Sequence, residues 1–245
     1  MSTATAVTAS PPAGPLSRLL NSSIGNKVVM ALSGVVMVGW LVGHLSGNLL
    51  TFAGAEALNT YAAWLHATPA VLWGGRITLL VATVLHVLTA IRLKRMNTEA
   101  RPRRYRYNAH VQSTLGGRTM IYSGLLLLAY AIYHLAHFTW GVEAVMPSEH
   151  FRSVIKDAAG RPDVWHMTVW SFQQAPVAIV YIIANVLLGL HLSHGVSSAF
   201  QTLGLTSAKW RPAIERVGPM FGTAVAAGFI SIPVAVLFGF ISLPA

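Results

Sequence analysis

The chain has 245 residues, of which 54% are hydrophobic and only 10% charged, with a formal net charge of +10. A soluble domain carries about 25% charged residues, so the deficit points to an integral membrane protein with room for several spans. Cysteine is absent, which excludes disulfides, thiolate metal sites, Cys-ligated iron–sulfur clusters and covalent haem attachment in this chain. The basic balance comes with no nucleic-acid motif and no alternation of aromatic and basic residues, so nucleic acid is excluded as a partner.

Residues 1–15, MSTATAVTASPPAGP, are small, polar and Pro-rich. They lack the charged start and apolar core of a secretory signal and read as a disordered leader. Residues 16–26 are expected to form a short interfacial helix. Five apolar stretches follow, at about 28–52, 70–93, 119–140, 174–200 and 217–243, each long enough for the ~20 residues of a spanning helix. Residues 16–245 therefore read as one all-α domain, a bundle of five transmembrane helices. Gly34, Gly39, Gly43 and Gly47 punctuate the first stretch, a spacing that lets a helix or a flat ligand approach closely. Pro176 and Pro219 are expected near the starts of the fourth and fifth spans, where a missing N–H costs little, and Pro233 is expected to kink the fifth. The segment between the third and fourth spans, 141–173, is expected to hold a short amphipathic helix near 148–158.

The connections orient the bundle. Arg18 and Lys27 flank the first span, and Glu56 follows it without Lys or Arg. The connection after the second span carries Lys94, Arg95, Arg101, Arg103, Arg104, Arg106 and Arg118, and that after the fourth carries Lys209, Arg211 and Arg216. The segment after the third span is mixed in sign. The positive-inside rule then places the N-terminus in the cytoplasm and the C-terminus outside.

Four of the five stretches contain histidine: His44 in the first, His86 in the second, His134 and His137 in the third, His191 and His194 in the fourth. A titratable ring in hydrocarbon is costly and usually faces the bundle interior with a partner. No intramembrane Asp or Glu is available as that partner. At about 1.5 Å per residue, His44 lies roughly 25 Å from Lys27 and His134 roughly 24 Å from Arg118, so both sit near the outer face. His86 lies about 9 Å from Arg92 and His191 about 15 Å from Gln201, nearer the cytoplasm. The histidines thus sort into two pairs stacked across the membrane, an arrangement that suits two bis-histidine haems better than one tetrahedral zinc site. His134 and His137 are three residues apart on one helix, as are His191 and His194, and spacing does not choose between them. Gly39, Gly43, Gly47, Gly124 and Gly189 are candidates for opening a slot beside the rings, and Lys27 and Arg118 for meeting haem propionates. His66, His110, His150 and His166 read as solvated loop residues.

The pieces SGVVMVGWLVGH, FAGAEALNTYAAWLH, VLHVLTAIRLKR, YSGLLLLAYAIYHLAHF and GLHLSHGVSSAFQTLG, in this order over most of residues 25–210, resemble the di-haem cytochrome b membrane anchor of succinate:quinone oxidoreductases, the succinate dehydrogenase/fumarate reductase family (complex II). The resemblance implies five spans and two b haems, with His44 and His134 as axial ligands of the outer haem and His86 and His191 of the inner one. His137 and His194 then become neighbours of the ligands or propionate contacts. It further implies a flavoprotein subunit and an iron–sulfur subunit as partners in a bacterial inner (cytoplasmic) membrane, with a higher oligomer such as a trimer as one form of the complex. Electrons would pass through the haems to a membrane quinone, menaquinone for this family type. Glu56 and His66 are the candidates for quinone proton transfer. With neither cysteine nor a Rossmann glycine fingerprint, the chain does not oxidise succinate by itself. The rivals are a cytochrome b anchor of another respiratory dehydrogenase and a haem-free structural anchor or transporter.

Overall fold

The computed structural model describes residue 14, residues 22–100 and residues 115–244. Most of the predicted leader, Arg18, the basic residues Arg101, Arg103, Arg104 and Arg106, and His110 lie outside the described residues. In chain order the helices are α1 (Ser23–Leu49), α2 (Ala55–Ala67), α3 (Pro69–Glu99), α4 (Leu115–His134), α5 (Val164–Gln173), α6 (Ala175–Thr202) and α7 (Arg211–Leu237). No strand occurs among the described residues; one isolated antiparallel bridge joins Lys156 to Pro162. Helices α1, α3, α4, α6 and α7 are long and apolar enough to cross a membrane. The protein is an all-α, multi-pass membrane bundle.

The helix starts follow from local chemistry. Ser22 accepts a hydrogen bond from the Gly25 N–H at 2.9 Å and caps α1, satisfying one of the donors a helix start leaves free. Residues 23–26 are therefore the first turn of the span, and residues 16–21 of the expected interfacial helix lie outside the described residues. Pro69 and Pro176 stand in the first turns of α3 and α6, as their missing N–H permits. Pro219 does not start its span: α7 begins at Arg211, with Pro212 in the first turn, and runs on through both Pro219 and Pro233.

Packing is tightest between α6 and α7. A Cβ on Gly222 would run into the Gly189 carbonyl and the Ser193 backbone, and one on Gly218 would run into the Ser193 carbonyl and Ser197 Oγ. Small residues every fourth position on both helices, Gly189-Ser193-Ser197 against Gly218-Gly222-Ala226, let the backbones touch, which is how helices associate where lipid removes the hydrophobic drive. Ser197 Oγ also donates across the seam to the Ile214 carbonyl at 3.0 Å. Helix α1 packs on α3, α6 and α7, and α4 packs on α6. The outer surface of α3 stays bare and apolar, with Ile77, Leu80 and Leu88 each more than half exposed; it is the face the lipid covers.

One end of the bundle is capped. A 3₁₀ turn (Leu50–Ala53) and α2 join α1 to α3, and α5 ends the 141–163 segment that follows α4. The helix expected near 148–158 is a single 3₁₀ turn, Ser148–His150. The regular helix begins at Val164 instead, because Asp163 caps it by accepting from the His166 N–H at 2.8 Å. Asn59 of α2, with no exposed surface, holds the cap together. Its amide donates to Asp163 Oδ1 at 3.0 Å and Asp157 Oδ2 at 3.3 Å, and its oxygen accepts from the Trp165 N–H at 3.0 Å. Replacing Asn59 by Leu leaves that N–H and two carboxylates without their partner, at a cost of about 2–3 kcal/mol. Thermal unfolding of the detergent-solubilised Asn59→Leu protein is expected to show a clearly lowered Tm.

Candidate functional site

Helix α1 presents His44 and α4 ends on His134; their ring centres lie 5.8 Å apart with planes at 82°. Helix α3 presents His86 and α6 presents His191, 6.5 Å apart at 62°. The structure thus brings together the residues that depth pairs. Gly34 Cα lies level with His86, since a Cβ there would sit 3.4 Å from the ring. Gly34 precedes His44 by ten residues, so the two pairs are separated by about 15 Å along the bundle.

The hydrogen bonds at Nδ1 decide what each ring has left. His86 Nδ1 lies 3.1 Å from the Met30 carbonyl and 3.4 Å from Ser33 Oγ. A carbonyl only accepts, so in the neutral ring the proton sits on Nδ1 and Nε2 carries the lone pair. His191 Nδ1 lies 3.0 Å from Ser123 Oγ, and that hydroxyl donates its own proton to the Met120 carbonyl at 3.2 Å. Ser123 therefore accepts from His191, which again leaves Nε2 with the lone pair. On α3 and α6, then, two Nε2 lone pairs are available at the end of the bundle opposite the cap. At the capped end His134 Nδ1 lies 3.3 Å from Tyr181 Oη, and His44 stacks on Trp40 with ring centres 4.7 Å apart.

His137 occupies a different place from His134. After His134 the helix widens into a π turn, Leu135–Trp140, closed by Gly141 at φ 61°. The three-residue spacing is therefore not that of a regular α turn. His137 is fully buried, its Nδ1 is 2.9 Å from the same Tyr181 hydroxyl, and its Nε2 has no hydrogen-bond partner. His194 lies on α6 one turn beyond His191 and is half-buried. Lys27 and Arg118 are exposed, near the starts of α1 and α4.

The glycines divide. A Cβ on Gly39 or Gly43 would meet nothing within 4 Å, and one on Gly124 would touch only the His191 ring at 3.5 Å. Gly39 and Gly43 are therefore open to a ligand, and Gly124 lies against the His191 ring. Gly47 and Gly189 are not open: the first is packed against Tyr61 of α2 and the second against α7, so both serve helix contact.

Glu56 and His66 both lie on α2 and are not brought together; ten residues separate them, about 15 Å along the helix. Glu56 lines an open surface cavity of about 630 Å³ with Ala53, Ala57, Thr60, Tyr61 and Trp64. Arg161 reaches over from the cap segment, its guanidinium donating to both Glu56 oxygens and to Thr60 Oγ1. The bonds from Arg161 first, then that from Thr60, hold the Glu56 carboxyl below its ordinary range. His66 lies outside the cavity lining, exposed, with Nδ1 donating to the Ala62 carbonyl at 2.8 Å. The residues expected to be solvated loop histidines sit in ordered elements: His66 in α2, His150 in the 3₁₀ turn and stacked on Trp170 at 4.0 Å, His166 in α5 with a buried Nε2.

Sequence reasoning missed Tyr181, Ser123 and Ser33, because a hydroxyl in an apolar span is commonplace until its partner is known. It also passed over Arg76, whose signal was legible: a lone arginine inside an apolar span marks function by default. Arg76 stacks over Trp73 at 5.0 Å. Its charge lies close enough to Arg152 to push that guanidinium down, on top of the larger effect of burial; Arg152 in turn donates to the Phe138 carbonyl at 2.9 Å, at the end of the π turn. Among the described residues no group of three or more His, Asp or Glu gathers around one point; the donors come in facing pairs.

Compared with models of known protein families, with curated proteins and with solved structures, the chain matches none.

Removing the guanidinium frees Glu56. In Arg161→Gln the Glu56 carboxyl is expected to titrate at higher pH than in the wild-type protein, because the largest lowering partner is gone and only the Thr60 bond remains. The carboxylate band in isotope-edited infrared spectra reads this directly. An unmoved titration would mean that Arg161 does not hold the acid.

Proposed function

We propose that this protein is an electron-transfer membrane anchor that carries two b-type haems, each held by two histidines. One haem lies between His44 and His134 near the capped end, the other between His86 and His191 near the opposite end. The observation that carries this reading is the pair of facing imidazoles at each of two depths, with one ring from each of four spans. Two imidazoles that bind one metal through nitrogens at ~2.0 Å have ring centres roughly 6 Å apart, and the separations here are 5.8 and 6.5 Å. Nδ1 anchoring of His86 and His191 by groups that only accept or already donate elsewhere is the support that metal-ligating histidines use to set ring orientation. Open space beside Gly39 and Gly43 suits a flat macrocycle.

When bound, the haems supply one-electron carriers at two levels in the membrane. The chain's own part is to hold them about 15 Å apart along the bundle, to keep water from the rings by apolar packing, and to offer a quinone site at the capped end. Glu56, on the wall of the 630 Å³ cavity, is the residue placed to exchange a proton with a quinone there, with Arg161 controlling its charge. The family resemblance extends the reading to the anchor subunit of a succinate:quinone oxidoreductase, working in a bacterial inner membrane with menaquinone. Flavin and iron–sulfur centres would then belong to two partner subunits, since this chain has no cysteine to ligate a cluster.

A pyridine haemochrome assay on the purified protein is expected to give two b haems per chain; finding none would refute the reading and leave a haem-free anchor. In His44→Ala one haem is expected to be lost and the other retained, because the two pairs share no ligand. Loss of both from a folded protein would contradict the pairing. In His137→Ala both haems are expected to stay, because that ring is enclosed and faces Tyr181 rather than His44.

A further inference from the structure

Among the described residues, Tyr181 is the one whose side chain hydrogen-bonds His134 and His137 together. It lies in α6, 4% exposed, with Tyr130, Phe172 and Phe138 ring centres 5.3, 5.1 and 5.6 Å away on three sides. The hydroxyl is caged and has two imidazole neighbours: His137 Nδ1 at 2.9 Å and His134 Nδ1 at 3.3 Å. A phenol has one proton to give and lone pairs to accept with. It cannot donate to both rings, so one ring must donate to it.

We propose that Tyr181 is a positioning residue for His134: it accepts a hydrogen bond from His134 Nδ1–H and donates its own proton to His137 Nδ1, so that the lone pair of His134 is confined to Nε2 of the ring that faces His44. Two observations support this direction. The shorter contact, to His137, is the one expected for an O–H donor, and the longer one, to His134, fits an N–H donor. The same outcome, a protonated Nδ1 and a free Nε2, is what the Met30 carbonyl imposes on His86 and Ser123 on His191; Tyr181 makes the support of His134 alike in kind to theirs. The cost falls on His137, whose proton is left on a buried Nε2 without a partner. An unsatisfied buried donor of that kind costs about 1–3 kcal/mol. Its retention makes sense if His137 is there to receive the tyrosine's proton.

The assignment rests on the proposed haem at His44 and His134, and the haem at His86 and His191 serves as its internal control. In the full-length Tyr181→Phe protein, transfer of haem to apomyoglobin is expected to release the haem at His44 and His134 roughly 10–100-fold more readily, the usual effect of losing the partner of a metal-bound histidine. The electron paramagnetic resonance g values of that haem are expected to move, and those of the other haem to stay. Both haems unchanged in Tyr181→Phe would overturn the proposal while leaving the haem reading intact. No haem in the wild-type protein would overturn the reading itself. If Tyr181→Phe does not fold, a pair of variants at the acceptor decides. His137→Gln keeps an oxygen for the tyrosine proton and is expected to retain wild-type g values, whereas His137→Leu removes it and is expected to shift those of the same haem. Identical spectra for the two would refute the hydrogen-bond direction.

Discussion

An imidazole inside a bundle of this kind must find a partner for each nitrogen or bear the cost of leaving one bare in an apolar surrounding. That constraint organises the structure. His86 gives its Nδ1 proton to the Met30 carbonyl, and His191 gives its own to Ser123, whose proton is already committed to Met120. What remains on each ring is the Nε2 lone pair, and the two rings face each other across 6.5 Å. A chemistry that needs two nitrogen donors on opposite sides of a flat group has its donors prepared before anything binds. The same principle explains why two pairs at separate levels are more informative than six histidines in one chain.

The bundle supports those rings unevenly. Helices α6 and α7 meet backbone to backbone along their small residues, and α6 carries both Tyr181 and His191. The most tightly held span thus bears one ring of the lower pair and the hydroxyl that serves the upper pair. Helices α3 and α4 expose more apolar surface to lipid and supply the facing rings. Above them Asn59, Asp157, Asp163 and Arg161 tie α2 and α5 into a lid of hydrogen bonds. Arg161 belongs both to that lid and to the Glu56 carboxylate. Any ligand that draws Glu56 away from Arg161 therefore also acts on the cap, a coupling that places the proposed quinone cavity and the cap on one set of polar contacts.

Glu56 illustrates how much a neighbour changes a residue's meaning. In the sequence it is an acidic residue after a span, with His66 beside it as an equal candidate. In the structure its two oxygens take the Arg161 guanidinium while His66 binds its own helix. Only one of the two is placed on the cavity. A surface ion pair of this exposure adds little to stability, so its significance is the charge it fixes at the cavity wall.

Membrane character, the number of spans and which histidines share a level could all be read along the chain. Those follow from apolar length and from rise per residue, quantities that are local and additive along the chain. The pairing of His44 with His134 and His86 with His191 was legible for the same reason. The tertiary structure decided the rest. It turned Gly47 and Gly189 into packing glycines, moved the cap helix to 164–173, widened the chain at Leu135 so that His137 turns inward, and brought Tyr181 between two rings 44 and 47 residues away. A hydroxyl in an apolar span looks the same in sequence whatever it faces. Its role is set by contacts between helices distant in the chain, and these exist only once the bundle has closed.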